Sequence, residues 1–332
     1  MVLVSSKVRA LGLCSGGLDS MLAAKILQAQ GIEVSWICFE TPFFLPDKSI
    51  RASELTGIPL QVKNITPEYI RMLKNPPAGY GKNMNPCLDC HSLMFRFAFE
   101  TLKEGGYDFL FSGEVVGQRP MSQRKQALRY VEKHSGADGF IIRPLSAQLL
   151  PETQMEKDGR VKREQLLSIS GRSRKDQMKL AESFGISEYP TPAGGCLLTD
   201  PGYSRRLRDL FEHKEACEAG DFELLKYGRH IRLSSQTKII VGRNHAENIA
   251  MEKLFYPNGY CFIFPQSFSG PRVLVSRPVD REALLQAAAI CVGYSKVPPG
   301  EPAQVKINNG DDVFCVETAG IPPRTIESMI IQ

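Results

Sequence analysis

The 332-residue chain is poor in what several protein classes require. No apolar run reaches the roughly 18 residues of a membrane-crossing helix, which excludes such a span. The opening MVLVSSKVRALGLCSGG lacks a secretory leader's charged start, apolar stretch and small-residue cleavage site. A cytoplasmic protein without a membrane partner is therefore expected. There is no internal repeat and no low-complexity tract. The nine cysteines are odd in number and scattered, so they read as buried thiols, metal ligands or catalysts and not as structural bridges.

What is present is the ordinary mix of a globular protein, 42% hydrophobic and 23% charged. The length suits about two domains, each large enough for its own core. Lys plus Arg number 41 against 36 Asp plus Glu, a mild excess of +5. Its distribution is uneven. Arg119, Arg124, Lys125, Arg129 and Lys133 face only Glu132 across one stretch; Lys157 to Lys179 is a second, and Arg205, Arg206 and Arg208 a third. Each alone reads as a solvated helix face, but three around one candidate site point to a polyanion such as RNA.

The first third alternates strand-like and helix-like segments. Val8 to Cys14, Glu33 to Phe39, Leu60 to Val62 and Tyr107 to Phe111 read as strands, and Asp19 to Gln30, Arg51 to Thr56 and His91 to Leu102 as helices. Such alternation predicts an α/β domain over 1–220, a parallel sheet with helices on both faces. From about Lys226 short strands at 231–233, 238–241, 260–264, 272–275 and 313–316 mix with helices at 246–255 and 281–294. A smaller α+β domain over 228–332 is expected, with the boundary between 215 and 228.

The chemistry is concentrated in Ser15-Gly16-Gly17-Leu18-Asp19-Ser20, between the first strand and the first helix. Two glycines allow a tight turn and close approach to an anion. The free N–H groups of the helix's first turn, with its dipole, then favour phosphate. Ser15 and Ser20 add hydroxyl donors, and Asp19 is a candidate Mg²⁺ ligand against a pyrophosphate. No G-x-x-x-x-G-K-[ST] motif lies nearby.

SGGLDS resembles the PP-loop of the ATP pyrophosphatases. That resemblance implies ATP and Mg²⁺, with cleavage between the α- and β-phosphates to give an adenylated intermediate. Residues 110–123, LFSGEVVGQRPMSQ, and Arg143-Pro144-Leu145 are similar to segments of the tRNA 4-thiouridine synthases. By the same resemblance Gly113, Glu114, Gly117 and Gln118 line the nucleotide and acceptor-base site, and Phe39, ending the second strand, is a further candidate nucleotide contact. Asn85-Pro86-Cys87-Leu88-Asp89-Cys90 and Gly194-Gly195-Cys196 look like the cysteine loops of the 2-thiouridylases. The likeness covers roughly residues 7 to 200.

Adenylating a uridine carbonyl oxygen makes it a leaving group, and a sulfur nucleophile must then attack the same carbon. The sulfur is carried either as a persulfide on a low-pKa cysteine or on the open iron of a 4Fe–4S cluster; Cys87, Cys90 and Cys196 suit either scheme, with Cys87 and Cys196 the catalytic candidates. The Cys-x-x-Cys spacing suits chelation; a four-cysteine zinc site lacks a second such pair, and His91 would have to complete it. Cys14, Cys38, Cys261, Cys291 and Cys315 fall in apolar segments and read as inert thiols.

Ile240-Val241-Gly242-Arg243-Asn244, Glu247-Asn248 and the stretch Ala287 to Lys296 resemble, more loosely, the NFACT-type RNA-binding domain. Arg243 and Asn244 either face RNA or form a turn in which Asn244 caps the next helix. Arg124 and Lys125, just after the acceptor-base loop, are further RNA candidates. The expected protein is an ATP-dependent tRNA sulfurtransferase, with tRNA or another RNA as substrate and a sulfur-donor protein as partner. The alternatives are a PP-loop ligase or amidotransferase acting on a non-RNA acid, and an RNA-binding factor that senses nucleotide.

Overall fold

The buried runs of the first third pair side by side. The computed structural model describes residues 7–190, 196–256, 259–310 and 312–331. In it β1 (Arg9–Leu13), β2 (Glu33–Glu40), β3 (Leu60–Asn64), β4 (Phe109–Ser112) and β5 (Ile141–Ile142) form one sheet in the order β3-β2-β1-β4-β5. Every neighbouring pair is parallel. The inner strands are covered on both faces and so read as continuous apolar runs. All of β4 is buried, as are Trp36, Ile37, Cys38 and Phe39 of β2, whereas edge strand β3 exposes Gln61 and Val62.

The flanking helices are α1 (Leu18–Ala29), α2 (Asp47–Thr56), α3 (Thr66–Lys74), α4 (Cys87–Gly105), α5 (Lys125–Ser135), α6 (Gln154–Lys157) and α7 (Lys175–Ser183). The sheet thus has the α/β fold of PP-loop proteins. Helix α1 is apolar nearly all round, because it packs against α7 as well as the strands. Strand order reverses between β1 and β4, so the loops leaving their C-terminal ends diverge and open a crevice there. Residues 14–17 and 113–118 meet at that point.

Two features bear on the site. Helix α4 begins at Cys87, four residues ahead of the expected start at His91, which puts Cys87 and Cys90 on its first turn. The basic stretch 119–133 contains a helix, in keeping with its reading as a solvated helix face. In α5 Ala127, Leu128 and Val131 face inward, and Arg129 pairs with both Glu132 and Asp138. Much of that charge is therefore a solvated helix face.

The second compact unit runs from Leu198, the first being Met1–Leu197. This division falls ahead of the expected 215–228, because α8 (Pro201–His213) and α9 (Ala219–Leu224) pack with the later strands. Arg232 of β6 (Arg229–Arg232) reaches Asp209 of α8 at 2.6 Å. The other elements are β7 (Lys238–Val241), α10 (His245–Lys253), β8 (Tyr260–Pro265), β9 (Val273–Ser276), α11 (Arg281–Gly293), β10 (Pro302–Asn308) and β11 (Val313–Ala319). The sheet order is β11-β10-β8-β9-β7-β6, with antiparallel neighbours throughout. Side chains alternate between its faces. Ile239, Val241, Cys261, Ile263, Val273 and Val275 meet α11, while Ile240, Tyr260, Phe262 and Leu274 share a second cluster with Leu224 and Met251. Cys315, expected inert and buried, is exposed on β11, an edge strand with one neighbour.

His230 on β6 is 1% exposed. Its Nε2–H donates to the Tyr227 carbonyl at 2.9 Å. Burial, then the nearby Lys238 and Arg206 cations, push its pKa well below the usual 6.5, so it is neutral in the folded chain. The unfolded chain binds the proton first as pH falls, so stability drops below about pH 6.5, by up to about 1.4 kcal/mol per pH unit. Urea titrations between pH 7 and 5 should show this slope in the wild type and lose it in His230→Gln; equal slopes would contradict a buried neutral His230.

Candidate active site

The loop leaving β1 is fixed at its entry. Cys14 N–H donates to the Ile37 carbonyl at 2.9 Å, and the Cys14 carbonyl accepts from Ser49 Oγ at 2.9 Å. Gly16 has φ +70°, and a Cβ there would fall 2.2 Å from the Lys48 carbonyl carbon, so only glycine fits. Gly113, just after β4, meets the loop from the other side: a Cβ there would lie 2.4 Å from the carbonyl carbon of Asp19. The Ser15 and Ser20 hydroxyls are 3.1 Å apart. No side chain caps α1, so its first N–H groups are available to an anion. Leu18 contributes only its backbone, since its side chain is in the core. The Phe39 ring, expected to touch nucleotide, is buried against Phe97 with centroids 6.3 Å apart.

Asp19 stands at the mouth of this cradle. Gln118 Nε2 donates to its Oδ2 at 3.0 Å, bringing together two residues singled out from sequence. Burial raises the pKa of Asp19, opposed by Gln118 and by the Arg174 and Arg119 cations. Its Oδ1 is buried with no partner. An orphaned carboxylate oxygen beside a phosphate cradle fits Mg²⁺, which binds through one or two carboxylates plus substrate phosphates. A cleft of about 560 Å³ adjoins the loop, lined by Gly16, Met21, Lys48, Arg51, Leu55 and Tyr189 among others.

Glu114 does not line an open site as expected. It is buried, and its Oε2 accepts from Arg143 Nε at 2.9 Å and Ser112 Oγ at 3.0 Å, while Oε1 accepts from His91 Nδ1 at 2.9 Å. Burial alone would raise its pKa, but Arg143 and His91 hold it at about 2. Arg143, 1% exposed, also donates from Nη1 to Glu132 at 2.5 Å. The Glu-x-x-Gly-Gln and Arg-Pro-Leu segments thus meet in one buried pair.

Cys87, Cys90 and Cys196 gather around Tyr69. Asn85 Nδ2 donates to Cys87 Sγ at 3.2 Å, and the Tyr69 hydroxyl donates to Cys90. Burial above all, then the other two thiols and Asp89, push Cys90 up to about 12 despite that bond. Cys196 is exposed; the glycine-rich residues 191–195 before it lie outside the described residues. Among the described residues no three His, Cys, Asp or Glu side chains are arranged to hold a metal ion. The expected Fe–S chelation by this trio is not shown by their placement, in which the Tyr69 hydroxyl donates to Cys90. Nor, among the described residues, is His91 arranged with these thiols to complete a zinc set.

Arg124 caps the start of α5 and Lys125 opens it, both exposed. Cations are disfavoured at a helix N-terminus, so their place there suits an anionic partner. In the second unit Asn244 caps α10, accepting from Glu247 N–H at 3.0 Å, and Arg243 is paired with Glu247 at 2.5 Å. Asn244 is thus a helix-entry residue, and Arg243 keeps a half-exposed guanidinium. Tyr69, Asn85 and Gln177 were not found from sequence. Asn85 was visible as the start of the Asn-Pro-Cys run; Tyr69 and Gln177 gave no signal.

The first unit is an α/β domain of the PP-loop fold, with its glycine-rich turn at the strand-order switch. Residues 5–149 match the family model of the thiamine biosynthesis protein ThiI, and residues 228–328 that of the NFACT protein RNA binding domain. The resemblances read from the motifs are thus borne out. The chain is 23% identical over 261 residues to a tRNA-specific 2-thiouridylase MnmA of Rippkaea orientalis, covering 73% of this chain and 69% of that one. It is 25% identical over 193 residues to a tRNA-specific 2-thiouridylase MnmA 2 of Clostridium botulinum, covering 53% of this chain and 50% of that relative. The chain therefore spans about half to two thirds of these relatives. A predicted subunit of a tRNA methyltransferase from Methanocaldococcus jannaschii aligns at TM-score 0.33 and 14% identity, over 53% of this chain and 76% of that one. No described helix is long and apolar enough to cross a membrane.

Removing one partner of a buried ion pair strands the other, at roughly 3–5 kcal/mol. Arg143→Met should lose about that much stability in urea at pH 7. In the wild type the contribution of Glu114 is present above about pH 4.5 and fades as pH falls towards about 2. A loss under about 1 kcal/mol in Arg143→Met would contradict the pair's role.

Proposed function

We propose that the chain is a cytoplasmic, ATP-dependent sulfurtransferase acting on a uridine of tRNA. The observation that carries this reading is the joint presence, in one unit, of the Ser15–Ser20 cradle with Asp19 at its mouth and of the thiols around Tyr69. The cradle receives the β- and γ-phosphates, and Asp19 would hold Mg²⁺, which when bound would neutralise charge on the leaving pyrophosphate. The uridine carbonyl oxygen attacks the α-phosphorus and pyrophosphate departs, leaving an adenylated uridine.

Sulfur then arrives as a persulfide from a donor protein onto exposed Cys196. The terminal sulfur attacks the activated carbon and AMP leaves. Cys87 attacks the remaining S–S bond, which releases the thiocarbonyl nucleoside and leaves a Cys87–Cys196 disulfide. A thiol reductant reopens it. Cys90, held by Tyr69, positions α4. The domain of NFACT type, with exposed Arg243, and the Arg124–Lys125 pair hold the RNA backbone.

Mass spectrometry of nucleosides from tRNA incubated with ATP, Mg²⁺ and a persulfide donor should find a thiouridine. Asp19→Ala, Cys87→Ser and Cys196→Ser should each lower its rate by about three orders of magnitude or more, and Cys90→Ser far less. Unchanged nucleosides would refute the reading, and stoichiometric iron in anaerobically purified protein would refute the persulfide route.

RNA affinity should fall with salt at roughly 0.7 to 0.9 log units per contacted phosphate. Replacing Arg124 and Lys125 together by alanine should reduce that slope by about one to two contacts. An unchanged slope removes them from the interface.

A further inference from the structure

Near Asp19 one fully buried polar side chain is left without a close partner among the described residues. Gln177 of α7 is fully buried, at 0% exposure, in a helix that packs against α1. Among the described residues neither its Oε1 nor its Nε2 has a partner at ordinary hydrogen-bond distance. Each buried unpaired polar atom costs roughly 1–3 kcal/mol, and a leucine or methionine would fill the same volume without that cost. The amide lies close enough to Asp19 to favour the charged carboxylate. On that carboxylate Oδ2 is taken by Gln118 at 3.0 Å, while Oδ1 is buried and unpaired. Asp19 Oδ1 and the Gln177 amide therefore lie together beside the proposed phosphate cradle, the amide turned to the carboxylate but none of these atoms within ordinary hydrogen-bond distance of a described partner.

Such a group is satisfied by something small, polar and hydrated. Mg²⁺ dehydrates reluctantly and keeps several waters when it binds carboxylate and phosphate. Those waters need acceptors, and a neutral amide supplies one without adding a second negative charge next to Asp19 and the phosphates. Outer-shell partners of this kind set how tightly a ligand carboxylate holds its metal.

We propose that Gln177 is a positioning residue for the divalent cation, bracketing Asp19 opposite Gln118 and holding a water of the cation's hydration shell. This rests on the reading of Ser15–Ser20 as a pyrophosphate cradle. Arg119 and Arg174 already supply positive charge near Asp19, so a neutral amide is suited to the metal's water.

The test uses the full chain, Mn²⁺ as the probe, an ATP analogue with a methylene between its α- and β-phosphates, and electron paramagnetic resonance. In Gln177→Leu the Mn²⁺ dissociation constant should rise about tenfold or more, the range for outer-shell partners. Thermal stability without ligand should stay level or rise, since two unpaired atoms are removed. Gln177→Met serves as a second variant. Mn²⁺ affinity within about twofold of wild type in either folded variant would overturn the proposal, as would failure of both to fold, which makes Gln177 a packing residue. A wild-type chain that takes up neither the analogue nor Mn²⁺ would instead overturn the cradle reading, and this inference with it.

Discussion

A guanidinium shut away from water must be neutralised, and the rest of the site is arranged around how Arg143 meets that demand. Its partners are Glu114, which follows β4, and Glu132 of α5, and Glu114 passes the tie on to His91 of α4. One buried charge thus joins β5, β4 and the two helices that carry the cysteines and the Arg124–Lys125 pair. Such a pair adds little stability over a well-packed apolar replacement. Its value here is positional. It sets the end of β4, where Gly113 presses against the first turn of α1, and so fixes Asp19 relative to Gln118.

From that frame the two halves of the proposed chemistry follow different physical rules. The cradle works by backbone dipoles and glycine-sized gaps, and its one charged side chain, Asp19, is left with an unpaired oxygen. The thiols differ by environment. Cys87 opens α4 with Asn85 at its sulfur, Cys196 is exposed, and Cys90 is closed in by Tyr69. A helix's first turn is where negative charge on sulfur is best tolerated, and an exposed thiol is where another protein can reach.

The parallel sheet was legible because β1, β2 and β4 are buried on both faces and leave unbroken apolar runs. The glycine-flanked turn after β1 was legible for the same local reason: Gly16 needs a left-handed φ. What the sequence hid was tertiary. Glu114 sits in a motif that reads as site-lining, yet its partner Arg143 lies 29 residues on and turns it inward. The basic stretch at 119–133 counted with two others towards a polyanion, yet Arg129 is spent on Asp138 and Glu132. The Cys-x-x-Cys spacing reads as a chelate, but the hydroxyl that occupies Cys90 belongs to Tyr69, on a helix the pattern did not suggest. Strand β10 alternates Ala303, Val305 and Ile307 with polar neighbours, but Pro302 at its start disguised it.

The central claim is that this cradle splits ATP between its α- and β-phosphates. It is tested most directly by the labelled products of ATP turned over in the presence of tRNA and Mg²⁺. With the label on the α-phosphate, the account predicts that AMP accumulates in step with pyrophosphate. Labelled ADP, with orthophosphate released, would contradict it.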